Sequence, residues 1–372
     1  MRIGLVIYGS LDTVSGGYLY DRMLVDYLQR QGEQVEIICM PWRSYLLHLA
    51  DNLSPVLLKR LSQPDVDILL QDELNHPSLF WINRRLKERY TSLRQSAVRP
   101  PLISIVHHLR SSEVHPAWQL RLYRWVERRY LRSVDGFIFN SQATRRSVEA
   151  LAGSALPNIV ALPPAGQFQP KIRPDEITAR ANQDGPLRLL FVGNLIPRKG
   201  LHSLLSTIQG TPDDSLTLTV VGGALLHSGY GRTIRQQITE SSLQDRVRLL
   251  GFQSQEELAE LLSDHHVLVV PSSYEGFGIV YLEAMGFGLP AIGSTGGGAG
   301  EIITHDLDGY LVAPDDIHSL RSYLVELHTD RGRLIQMGLA ARQRYLAHPA
   351  WETTCKAIRS FLLNSLAKET KA

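Results

Sequence analysis

Residues 267–286 read Val-Leu-Val-Val-Pro271-Ser-Ser-Tyr-Glu275-Gly276-Phe-Gly278-Ile-Val-Tyr-Leu-Glu283-Ala-Met-Gly286. A short apolar run ends at a proline, passes a glycine-rich turn and enters a helical pattern, giving strand, loop and helix. Gly276 and Gly278 permit a tight junction and a close approach of a ligand to the backbone. The helix opening there offers unpaired N–H groups and the positive end of its dipole, which suits a phosphate. Ile279 and Glu283 are four apart and share a helix face. Glu275 in the loop and Glu283 in the helix then reach different parts of one extended ligand, and carboxylates accept hydrogen bonds from sugar hydroxyls. Taken alone, the segment fits an ordinary loop with two surface glutamates equally well.

The same grammar runs outward in both directions. Toward the N-terminus, strands are expected at Ile3–Tyr8, Val35–Cys39, Asp67–Leu70, Leu102–Val106 and Gly136–Phe139, with an amphipathic helix at Tyr18–Gln31. A second series runs through Leu187–Val192, Leu216–Val221, Val247–Leu250, His266–Val270 and Leu289–Ile292. Short apolar strands alternating with helices imply parallel βαβ units. The chain of 372 residues suits two such halves. The expected domains are 1–165 and 186–348, joined by Pro163–Pro186, which is rich in Pro, Gly, Gln and charge. Residues 349–372 carry one apolar face, Trp351, Cys355, Ile358, Leu362 and Leu366, at helical spacing.

Composition narrows the class. No stretch approaches the ~18–20 uncharged apolar residues of a membrane span. The apolar opening Met1–Ile7 is too short for a signal peptide and reads as a first strand. Cys39 and Cys355 are the two cysteines, too few for a disulfide framework or a cysteine-rich metal site. A cytoplasmic location is expected. The net charge is +2, but residues 1–170 hold 20 Lys/Arg against 15 Asp/Glu, an excess of 5. Much of that excess lies in Arg110–Arg132, where Trp118, Tyr123, Trp125 and Tyr130 stand among arginines. Such a helix suits contact with anionic headgroups, giving an expected peripheral membrane contact through 110–132. An ordinary amphipathic helix packed on the sheet accounts for it too. Nucleic acid is not an expected partner.

Three further segments sit at strand-to-helix junctions. Phe191-Val-Gly-Asn194-Leu-Ile-Pro-Arg198-Lys199-Gly200 places two cations at a helix N-terminus, which is unfavourable unless an anion is bound there. Arg offers a planar fork and Lys a point charge to phosphate oxygens. Gly16-Gly17 forms a short glycine turn after the first strand, without the full G-x-G-x-x-G pattern. His107-His108 directly follow Leu102–Val106 at a strand's carboxyl end, where open parallel sheets bind ligands. Side chains alternate along a strand, so only one of the two faces a ligand, and His107 is the expected one.

Together these segments resemble the retaining family-4 glycosyltransferases with the GT-B fold. Glu275-x7-Glu283 with Arg198-Lys199-Gly200 is the specific part; Gly16-Gly17, His107, Gly251-Phe252 and Gly296–Glu301 follow in matching order. The resemblance implies two Rossmann-like doubly wound domains facing across a cleft, with the last helix crossing back to the first domain. It implies a nucleotide-diphosphate sugar as donor substrate and a sugar, glycan or lipid-linked acceptor at the N-terminal domain. Gly16 and Gly17 would bring backbone near the donor diphosphate, and Arg198 and Lys199 would neutralise it. Glu275, with the backbone amides of Phe277 and Gly278, would hold the transferred sugar. Ile279 would lie beside the nucleoside, Glu283 on the ribose, Gly251 and Phe252 at the base, and His107 near the reacting centre. Two departures stand out: Asn194 replaces the Arg the family commonly has, and His108 replaces a frequent Asp.

The implied reaction is substitution at the anomeric carbon with retention. Negative charge on the leaving diphosphate would be met by Arg198, Lys199 and the helix dipole. No cofactor is expected, and no metal, because no Asp-x-Asp or histidine cluster offers an obvious site. Two other classes remain: a nicotinamide-dependent oxidoreductase, and a non-catalytic protein binding nucleotide sugars or glycans.

Overall fold

Most strands are short runs of largely buried apolar side chains, and the loops after them are rich in glycine and polar residues. A computed structural model describes all residues except 14, 63–64, 93–98, 154–155, 167, 223–228 and 370–372. The chain divides into two units, Met1–Pro163 with Pro349–Ala372, and Pro164–His348.

The first unit contains β1 (Arg2–Tyr8), β2 (Gln34–Met40), β3 (Ile68–Asp72), β4 (Leu102–Val106), β5 (Gly136–Phe139) and β6 (Asn158–Val160). They form one parallel sheet in the order β2-β1-β3-β4-β5-β6. Helix Gly16–Arg30 is capped by Ser15, whose hydroxyl accepts from the Tyr18 N–H at 3.2 Å. Its Tyr20, Leu24 and Leu28 are buried with Ile3, Leu5 and Ile7 of β1. Helix Trp351–Glu369 belongs to this unit and adds Cys355, Ile358 and Leu362 to the same core.

The second unit contains β7 (Leu187–Val192), β8 (Leu216–Val221), β9 (Val247–Gly251), β10 (Val267–Val269), β11 (Ala291–Ser294) and β12 (Gly309–Val312). Their order is β12-β11-β10-β7-β8-β9, all parallel. Numbered within the unit this is 3-2-1-4-5-6, the Rossmann order, with the strand order reversing at β7 and β10.

The stretch read as a linker, 163–186, holds a helix, Pro174–Ala181; its residue 167 lies outside the described residues. Pro174 starts the helix, and Glu176 accepts from the Arg173 N–H at 2.7 Å. Arg180 donates to the carbonyls of Phe287 and Gly288 at 2.9 and 3.0 Å. Eight residues with two buried apolar side chains, Ile177 and Ala181, give too short a period to stand out. Among the described residues, no helix is long and apolar enough to cross a membrane.

Candidate active site

In the second unit the loops after β7 and β10 leave neighbouring strands where the order reverses, so their residues meet. Gly200, with φ of 72°, closes the turn between the cations and helix Leu201–Gln209; a Cβ there would stand 2.2 Å from the Pro271 carbonyl oxygen. That contact draws the loop of Arg198 and Lys199 against the loop of Glu275.

Lys199 Nζ donates to Glu275 Oε1 at 2.6 Å, and Ser272 Oγ donates to the same oxygen at 2.5 Å. Arg198 donates to the Tyr274 carbonyl at 2.6 Å and lies 3.7 Å from Glu275 Oε2. The counter-ion demanded by the basic pair is therefore present in the protein itself. Burial pushes the Glu275 carboxyl upward, but Lys199 and Arg198 more than offset this and hold it below the usual carboxylate range.

The backbone of Glu275 is clamped as well. Its N–H donates to the Gly296 carbonyl at 3.0 Å, and its carbonyl accepts from Gly298 N at 2.7 Å. Gly297, with φ of 90°, passes so close that a Cβ would meet the Glu275 carbonyl oxygen at 2.0 Å. This gives Gly296–Gly298 a physical role that their position in the sequence did not supply.

Gly278, with φ of 93°, precedes helix Ile279–Gly286. Glu283 is buried on that helix, and burial pushes its carboxyl up to about 7. No ion pair reaches it among the described residues. Gly166 comes so close that a Cβ there would fall 1.8 Å from Glu283 Oε1. Ile279 is half-buried, while the Phe277 ring is buried, 6.0 Å from the His348 ring. Asn194 and Phe252 are exposed; Gly251 before Phe252 has φ of 75°.

In the first unit, β1, β3 and β4 are adjacent, so their carboxyl ends bring together helix Gly16–Arg30, Asp72 and His107. Gly17 packs on the imidazole: a Cβ would lie 3.1 Å from its Cδ2, whereas Gly16 is exposed. His107 Nε2 is 3.2 Å from Asp21 Oδ1, and its N–H donates to Glu73 Oε2 at 2.9 Å. His108 points elsewhere, 3.2 Å from Glu113 Oε1. Sequence reading found no acid–histidine cluster, yet one exists: ligand atoms of Asp21, Asp72 and His107 lie within 4.8 Å of one another, all three residues being buried. The pairing of Nε2 with Asp21 makes it an ion-paired group. Asp21 lies four residues beyond Gly17, one helical turn on, so its place on the face of Gly17 was available from spacing. Asp72 and Glu73, at the end of β3, carried no comparable signal.

Beside Glu73 opens a cavity of about 410 Å³, lined among others by Trp42, Tyr45, His108, Arg110 and Glu113. Arg110 lies over the Tyr45 and Tyr123 rings, 5.3 and 4.8 Å from their centroids. Helix Ala117–Leu131 divides the aromatic stretch: Tyr123, Val126, Tyr130 and Leu131 are core, while Trp118 and Trp125 are 67% and 49% exposed beside exposed Arg121, Arg124, Arg128 and Arg129. Glu127 on the same helix is buried, and burial pushes its carboxyl up to about 7.

Residues 173–344 match the family described as glycosyl transferases group 1. Over 258 residues the chain is 30% identical to the GDP-mannose-dependent alpha-(1-6)-phosphatidylinositol monomannoside mannosyltransferase of Mycobacterium tuberculosis, covering 65% of each chain. The match thus spans just under two thirds of that relative's length. Among solved structures, sucrose-phosphate synthase from Thermosynechococcus elongatus aligns with a TM-score of 0.81 at 21% identity, covering 99% of this chain and 100% of the other. HepE of Anabaena in complex with UDP aligns with a TM-score of 0.75 at 21% identity, covering 98% and 100%. At these identities the likeness shows the fold, two Rossmann-like domains of GT-B type.

Proposed function

Residues 173–344 belong to the glycosyl transferases group 1, and from that premise we propose that the chain transfers a sugar, with retention and without a metal, from a nucleotide-diphosphate sugar to a glycan or lipid-linked acceptor. The observation that carries this reading is the buried Glu275 carboxylate held by Lys199 and Arg198 at the strand-order reversal of a Rossmann sheet. A donor diphosphate brings further negative charge to those cations, and Glu275 is left to accept hydrogen bonds from the sugar's hydroxyls. As the anomeric bond breaks, charge grows on the leaving diphosphate, where Lys199, Arg198 and the helix end after Gly278 stabilise it. Glu283 serves the ribose, and His107 the transferred sugar.

The acceptor is assigned to the first unit. Its cavity joins aromatic faces, which stack on sugar rings, to Glu113, which accepts from hydroxyls, and to Arg110 and His108, which bind hydroxyls or anions. The mycobacterial relative is named a phosphatidylinositol monomannoside mannosyltransferase, and exposed Trp118 and Trp125 among four arginines favour contact with an anionic membrane here. Each basic residue near such a surface contributes about 1 kcal/mol.

The test is a thermal-shift screen of nucleoside diphosphates and their sugars, followed by transfer assays with the stabilising donor. One nucleoside diphosphate should raise the Tm, and its sugar should be turned over equally with and without EDTA, giving a product of unchanged anomeric configuration. Loss of turnover in EDTA removes the metal-free mechanism. Stabilisation by NAD(P) alone removes the transferase reading.

A further inference from the structure

We infer that Asp21 is a positioning residue for His107: it holds the imidazole by Nε2 and keeps it positively charged, so that His107 works as a hydrogen-bond donor and not as a base. The inference rests on the reading that His107 serves the transferred sugar.

The imidazole is fixed at Nε2, over its ring and through its backbone. Asp21, fully buried on helix Gly16–Arg30, takes Nε2. Gly17 lies against the ring, and the Tyr20 ring meets it edge-on at 5.4 Å. Its backbone is tied down by Glu73 at the N–H and by Asn140 Nδ2, which donates to its carbonyl at 2.8 Å. Among the described residues Nδ1 has no hydrogen bond, which leaves it as the nitrogen available to a ligand.

The charge follows from the surroundings. The titratable groups facing the ring are Asp21 and Tyr20 of helix Gly16–Arg30, Asp72 at the end of β3 and Glu73 after it. No lysine or arginine pairs with the three acids among the described residues. Asp21 Oδ2 and Asp72 Oδ2 are buried without a hydrogen-bond partner. Burial, then the charges of Glu73 and Asp21, raise the Asp72 carboxyl well above its usual range. Burial alone would push the His107 imidazole down; Asp21, with Glu73 and Asp72, more than reverses this and raises it to about 10. A charged imidazole has two N–H donors and no acceptor. One goes to Asp21, and the other is offered through Nδ1 to a sugar oxygen or to charge developing beside it.

The experiment uses the whole protein labelled with ¹⁵N-histidine, with His107→Gln to identify the signal. In the wild type the His107 ring should remain charged to above pH 9. In Asp21→Asn, nearly the same shape without the charge, it should become neutral at or below pH 7. The variant's kcat should fall at least about tenfold while KM for the donor stays within about twofold. Its remaining activity should decline between pH 6 and 8, where the wild type holds steady. Asp72→Asn, which removes the weakest of the three acidic influences on the ring, should lower the His107 titration less than Asp21→Asn does and reports on fold damage in the cluster. A neutral His107 at pH 7 in the wild type overturns the inference, as does an Asp21→Asn variant with unchanged titration and pH profile. If His107→Gln transfers normally, the reading of His107 falls and this inference with it. If His107→Gln is impaired and Asp21→Asn is not, only this inference falls.

Discussion

Glu275 and Lys199 each lose a buried partner when the other is changed, and this sets how a substitution must be read. The two are 76 residues apart in sequence and 2.6 Å apart in space. Breaking a buried pair from one side costs about 3–5 kcal/mol, because the remaining charge is stranded. Glu275→Gln and Lys199→Met are each expected to lower transfer by at least about 10²-fold, the scale of removing one transition-state stabiliser. They should also lower the Tm. The double variant should recover part of the Tm and none of the turnover; calorimetry beside a transfer assay separates the two. Full recovery of turnover would show the pair to be structural. The acid at 283 gives a second test. Its carboxyl is raised to about 7 in the fold, above its unfolded value, so between roughly pH 4.5 and 7 the native state binds the extra proton. Stability from this group is therefore full in acid and is lost as pH rises through that window. Relative to Glu283→Gln, the wild-type Tm should fall from pH 5 to pH 8. An identical pH dependence in the two proteins would contradict the burial of Glu283.

At the scale of elements, legibility in the sequence followed apolar content. β4, β5, β7 and β8 lie where their runs of Leu, Ile, Val and Phe place them, because a strand buried on both faces has no other reading at that length. β6, Asn158–Val160, is three half-buried residues at a sheet edge, and β12 begins with a glycine; neither carries enough apolar signal. The site loops were legible because glycine and charge mark strand-to-helix junctions. What the sequence could not show was which loops meet: Gly297 over Glu275 and Asp21 against His107 depend on strand order. Helix Ala117–Leu131 was legible as amphipathic, but the division of its aromatics between core and surface was not. That division defines a test: Trp118→Ser with Trp125→Ser should reduce co-sedimentation with anionic vesicles severalfold at low salt, and leave soluble-substrate turnover unchanged. Equal sedimentation of the variant and the wild type would exclude this face from any membrane contact.

At the scale of the whole molecule, the first unit is built from two separate stretches of chain. Its sheet is complete by β6, yet its core is closed by a helix that the chain supplies only after the second unit has been made. Ile358 and Leu362 are fully buried among Ile3, Leu5, Leu24 and Leu28, and the hydroxyl of Thr354 donates to the Leu162 carbonyl at 2.9 Å. Arg359 donates to Glu33 at 2.8 Å, the acid that also holds the amino terminus of Met1. A chain ending at His348 would expose this apolar face of the first unit while leaving the second unit's sheet, core and Lys199–Glu275 pair intact. Calorimetry of that truncation should show the transition of the first unit at much lower temperature and that of the second nearly unmoved. The point substitution Ile358→Ala, which removes a fully buried side chain, should cost the first unit about 2–5 kcal/mol and spare the second. A truncation that lowers both transitions equally would mean that residues 349–372 stabilise the chain through something other than the first unit's core.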